Sequence, residues 1–91
     1  MLDARDFFKT ADDRLTFDIM LDNGTRWIEN LGAIEIIRAI EHASLFEERI
    51  TVDRFSTSII NDYTMYVFLK IDRPETLAES VFLSDLTQLR D

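Results

Sequence analysis

Leu15-Thr16-Phe17-Asp18-Ile19-Met20-Leu21-Asp22 places Leu15, Phe17, Ile19 and Leu21 on one side of an extended chain and Thr16, Asp18, Met20 and Asp22 on the other. A period of two is that of a half-buried β-strand. Asp22-Asn23-Gly24 follows, three residues that tolerate positive φ, and then Thr25-Arg26-Trp27-Ile28. The spacing predicts a hairpin whose second arm is short. Asn23-Gly24-Thr25 also spells a glycosylation sequon, but a hairpin turn accounts for the same residues.

Working outward, Asp3 to Thr10 carries an N-capping acid and the apolar pair Phe7-Phe8, which predicts a short N-terminal helix. On the other side, Asn30 can cap a central helix over residues 31–46. Ala33, Ile36, Ile37, Ile40 and Ala43 recur there at helical spacing, and Glu35, Arg38, Glu41 and His42 lie elsewhere. Ile50-Thr51-Val52 and then Phe55, Thr57 and Ile59 continue as strand, with the apolar phase shifted by one between Val52 and Phe55. A bulge at Asp53-Arg54 restores the register. Asn61-Asp62 is a turn signal, and residues 64–71 read as a strand with Met65, Val67, Leu69 and Ile71 on one side and Tyr66 and Phe68 on the other.

A strand that is apolar on both sides needs cover on both faces. One central helix covers one, so the terminal segments are expected to cover the other, through Phe7 and Phe8 at one end and Leu77, Val81, Phe82, Leu86 and Leu89 at the other. Asp72-Arg73-Pro74-Glu75 predicts the start of a last helix reaching at least Ser80. The expected fold is a single α+β domain over residues 1–91 in the order α-β-β-α-β-β-α. Two hairpins form a mainly antiparallel sheet of about four strands, with one central helix and short terminal helices. If the two hairpins do not share one sheet, the free edges become sites for self-pairing or for a partner strand.

The chain has 91 residues, a hydrophobic share of 46%, no Cys, one His, two Gly and one Pro, with a formal charge of −8. A domain this size buries roughly 60–65% of the surface of its unfolded chain, so association is a natural supplement to its stability. No apolar run approaches the roughly 18–20 residues that cross a bilayer, and a soluble, cytoplasmic protein is expected. Eighteen acids against ten Lys and Arg argue against direct nucleic-acid binding, and the missing apolar run argues against a membrane partner. The same charge suits a basic partner, including a nucleic-acid-processing enzyme or toxin whose basic site an acidic surface would occupy.

Most recognisable chemistry needs residues that are scarce here. A lone His42 and no Cys exclude two-His zinc motifs and Cys/His metal sites within one chain. Glycines only at positions 24 and 32 leave no phosphate-cradling loop. Aligning Gly24 with the sixth position of a calcium loop puts Ile19 and Leu21 where oxygen ligands belong and Asn30 at the terminal acid. No catalytic residue, cofactor or metal is expected. Asp12-Asp13, Glu47-Glu48 and the pair Glu75/Glu79 read as solvated surface, although Glu47 and Glu48 oppose the dipole of a helix that reaches them.

The leading expectation is a non-catalytic acidic protein-binding module with the economy of size and charge found in phage-encoded inhibitors of host defence and toxin-neutralising immunity proteins. Its candidate contact residues are Asp12, Asp13, Asp18, Asp22, Glu47, Glu48 and Asp53, with Trp27 as an aromatic anchor. The alternative is a homodimeric assembly subunit that associates through Tyr66 and Phe68 or through a sheet edge.

Overall fold

In a computed structural model that describes residues 2–22, 24–73 and 76–90, without the side chains of residues 89 and 90, eight elements follow one another. They are β1 (Leu2–Asp3), α1 (Ala4–Lys9), β2 (Thr16–Leu21), β3 (Ile28–Leu31), α2 (Ala33–Ser44), β4 (Ile50–Thr57), β5 (Thr64–Ile71) and α3 (Leu77–Arg90). The α+β class holds. The strands form one five-stranded sheet in the order β1-β4-β5-β2-β3.

Three features correct the expectation. The sheet has a fifth strand, β1, which pairs with β4 through Leu2↔Val52 and Asp3↔Thr51. It is mainly antiparallel as expected, but the two antiparallel hairpins are joined through one parallel pairing, of β2 with β5, from Thr16↔Thr64 to Leu21↔Leu69. Finally, the last helix is not short: α3 runs to Arg90. The proposed cap at Asp72 lies beside Pro74 and Glu75, which are outside the described residues. The α3 cap is instead Thr76, whose Oγ1 accepts the Glu79 N–H at 3.3 Å.

The parallel register puts Phe17, Ile19 and Leu21 on the same face as Met65, Val67 and Leu69. All three helices pack there. Phe8 of α1 meets Phe17 edge to face at 5.0 Å. Ile36, Ala39, Ile40 and Ala43 of α2 join the same buried cluster as Ala78, Phe82 and Leu86 of α3. The terminal segments therefore do not cover the second apolar face of β5, as their spacing led us to expect; they complete the first.

Local geometry explains where the element boundaries fall. The predicted bulge is present: Val52 faces Leu69, Arg54 faces Phe68, and Asp53 is the extra residue. A second irregularity in β3 sets Glu29 and Asn30 against Asp18, between Ile19↔Ile28 and Phe17↔Leu31. Asn30 adopts φ 62° there, and its N–H donates to Asp18 Oδ1 at 2.9 Å in place of a ladder bond. Asn30 is thus a strand residue rather than the cap of α2. The cap is Gly32, whose N–H donates to Glu35 Oε1 at 3.4 Å.

The second hairpin arm accordingly starts at Ile28, later than predicted, after a loop that brings the Gly24 N–H to Leu21 O at 2.8 Å. Helix α2 stops at Ser44, so Glu47 and Glu48 lie in the following loop and do not oppose its dipole directly. Glu47 holds φ 63°, a conformation that costs a residue bearing a Cβ about 1 kcal/mol or more. Replacing Glu47 with Gly should raise stability by roughly 0.5–1 kcal/mol, read as a higher urea midpoint with unchanged slope.

Candidate functional site: the uncovered sheet face

Alternation along β5 buries Val67 and Leu69 and turns Tyr66 and Phe68 to the opposite side of the sheet, where both remain half-exposed. The loop between β2 and β3 folds Trp27 back over them. Its ring lies 5.4 Å from Tyr66 and 5.0 Å from Phe68, centroid to centroid, in tilted and edge-on orientations. Such offset aromatic contacts add to simple burial.

The bulge at Asp53 sets Arg54 opposite Phe68, with its guanidinium carbon 4.1 Å from the ring centroid, within cation–π range. Parallel pairing adds Asp18 beside Tyr66 and Met20 beside Phe68. The result is a patch drawn from four segments, aromatic at its centre and flanked by the Arg54 cation, and no helix among the described residues packs on it. Trp, Tyr and Arg are the side chains that most often dominate binding energy when an interface buries them.

The predicted acidic residues are distributed differently. Asp12 and Asp13 lie in the loop after α1, at the end of the sheet where the Thr16 N–H meets Tyr63 O at 2.8 Å. Asp22 lies at the opposite end, its N–H on Leu69 O at 2.8 Å. Glu47 and Glu48 precede β4 at that same end, where Arg49 O accepts the Asp72 N–H. Asp53 is exposed at the bulge. The seven acids therefore do not converge on one face.

Three of the seven are also engaged within the fold. Asp18 holds the Asn30 backbone. The Glu48 carboxylate is buried and bound by Arg73 Nε at 2.7 Å. The Arg14 guanidinium grips Asp12 through Nη2 at 2.7 Å, and the Arg14 backbone N–H adds a bond at 2.9 Å. This hydrogen bonding from Arg14, side chain first, holds the Asp12 carboxyl well below the usual carboxylate range.

Because that folded value is depressed, the contribution of the pair to stability is complete above the unfolded carboxylate value of about 3.9 and is lost as pH falls through the folded one. In an NMR titration Asp12 should protonate below the ordinary carboxylate range, and Arg14→Ala should return it to that range. Glu47 and Glu48 also line a cleft of about 620 Å³ with Asp3, Asp6 and Glu41. Arg5 and Arg49 partly neutralise it, and Arg5 Nη2 is 2.7 Å from Glu41 Oε2.

Of the residues singled out in the sequence, the structure brings together Trp27, Tyr66, Phe68 and Asp18. Arg54 was missed, although the bulge that places it was readable from the phase shift. His42 bridges α2 to α3 through Nδ1, 2.7 Å from Asp85 Oδ2, on the helical layer and away from this patch. No family model, no characterised protein and no solved structure matches the chain.

Proposed function

We propose that the chain is a non-catalytic protein-binding module of the inhibitor or immunity type. In this reading the aromatic face seats an apolar part of a partner protein's surface, the basic groups around that part meet the acids at the ends of the sheet, and the module blocks that surface. The observation that carries this is the Trp27–Tyr66–Phe68 cluster with Arg54, a large aromatic patch that the fold's own helices leave open. Buried cores are built by turning such residues inward, and here all three helices lie on the other face.

The partner's sign follows from charge. At −8 the chain attracts a basic surface over distances of about a Debye length and repels an acidic one. A nucleic-acid-processing enzyme or a basic toxin has such a surface. The aromatic centre supplies affinity and the overall charge supplies rate and selectivity.

Affinity capture from a source-cell lysate at low and high salt, run in parallel with wild type and Trp27→Ala, tests the reading. A basic protein retained by wild type, weakened by salt and lost from the variant supports it. Retention that is equal for both chains, or insensitive to salt, contradicts it.

A further inference from the structure

We propose that two copies of this chain pair through the outer edge of β4, joining their sheets into one of ten strands. The surface is the sheet edge, distinct from the aromatic face, so the proposal stands or falls independently of the partner reading above.

Among the described residues, β1 covers β4 only as far as the Leu2↔Val52 pair, and the bulge follows at Asp53. The Ser58 N–H donates to Thr64 O at 2.9 Å, so Arg54, Ser56 and Ser58 turn their backbone groups towards β5. Alternation along an antiparallel ladder then turns the N–H and C=O of Phe55 and Thr57 outward. Among the described residues nothing bonds to these four groups. An unpaired edge of this kind is a template for another strand.

The edge is complementary to itself. A two-fold axis through Ser56 places Phe55 of one copy opposite Thr57 of the other, and the converse. Four hydrogen bonds then satisfy every outward group of both copies. No like charges face each other in this register: Arg54 lies opposite Ser58, and Ser56 opposite Ser56.

The same register gives a role to side chains that the monomer leaves in solvent. The β4–β5 turn presents Ile59 and Ile60 at 101% and 91% exposure, although Ser58 Oγ holds the turn by accepting the Ile60 N–H at 3.1 Å. Extending the pairing carries that turn past the bulge of the second copy towards its Leu2, which is 43% exposed. Phe55, at 52%, lies at the centre and packs on Phe7 at 5.0 Å. These four side chains expose on the order of 500 Å² per copy, so covering all of them would bury up to about 1,000 Å² in the pair, the scale of a weak specific interface.

Two chains of −8 repel each other, so salt should tighten this association, the reverse of its effect on a basic partner. Sedimentation equilibrium of the purified chain, from about 10 to about 500 μM at about 0.05 and 0.5 M NaCl, reads both the state and the sign. The expected result is a rise from 10.7 kDa towards twice that mass, at lower concentration in high salt. Thr57→Pro removes an outward N–H and no bond of the sheet itself, so it should keep the circular dichroism of the wild type and remain monomeric. Ile60→Asp should weaken the dimer at least tenfold, and Trp27→Ala should leave it unchanged. A wild-type chain that stays monomeric throughout overturns the proposal, as does a dimer that Thr57→Pro leaves intact or Trp27→Ala dissolves.

Discussion

Phe82→Ala should remove a large part of the stability of this domain. Phe82 is fully buried on α3, in the cluster that joins this helix to α2 and to the sheet. Truncating a buried Phe costs about 3–5 kcal/mol, because the transfer term is lost and a cavity remains. A domain of 91 residues has about 5–14 kcal/mol in total at the usual value per residue. Urea unfolding followed by circular dichroism should therefore show a midpoint lowered by about a fifth or more, or no folded baseline. Ile34→Ala is the matched control: that side chain is exposed on the first turn of α2, and its loss should change stability by no more than about 0.5 kcal/mol. A Phe82→Ala shift as small as the control's would mean that α3 is not docked on the sheet.

The second large effect concerns binding. Trp27 contacts two aromatic rings and sits at the centre of the uncovered face, so truncating it removes the part of the surface that a partner would desolvate most completely. Central aromatic anchors cost about 2–4 kcal/mol when replaced by Ala, equivalent to roughly 30- to 1,000-fold in affinity. The loss should appear mainly in the dissociation rate. Reversal of exposed Asp13 or Asp22, each at an end of the sheet, should instead slow association and flatten the salt dependence. Stability should fall little with Trp27→Ala, since the ring is half-exposed. Calorimetry with the captured protein separates these effects.

The elements that sequence reading located best are those whose reason for forming is local. The alternation of residues 64–71 marks β5 from end to end, and the one-residue phase slip between Val52 and Phe55 marks the bulge at Asp53. Strand β1 has two residues, too few to show a period, and exists because Val52 offers it an edge. The parallel pairing of β2 with β5 joins strands more than 40 residues apart. Nothing in either strand's own pattern names its neighbour.

That one pairing also decides the site. It sets which faces of β2 and β5 align and brings Asp18 beside Tyr66, in the row of side chains that Trp27 covers at Tyr66 and Phe68; Asp12 and Asp22 flank β2 and so lie at opposite ends of the sheet. Trp27, Tyr66 and Phe68 were each recognisable as large aromatics outside the obvious core pattern. Their union was not, because it depends on strand order and on a loop that folds back. Asn30 illustrates the converse: its side-chain type suits a cap, but the left-handed backbone of a strand irregularity takes the same residue for a different reason.

Trp27 is the only tryptophan, so an ¹⁵N-labelled chain gives one indole resonance, and titrating the captured basic partner against it tests the uncovered face directly. Binding through that face predicts a saturable shift or broadening of the indole signal, together with the backbone signals of Tyr66, Phe68 and Arg54. A complex that forms while these signals stay in place, and those of α2 and α3 move instead, would contradict it.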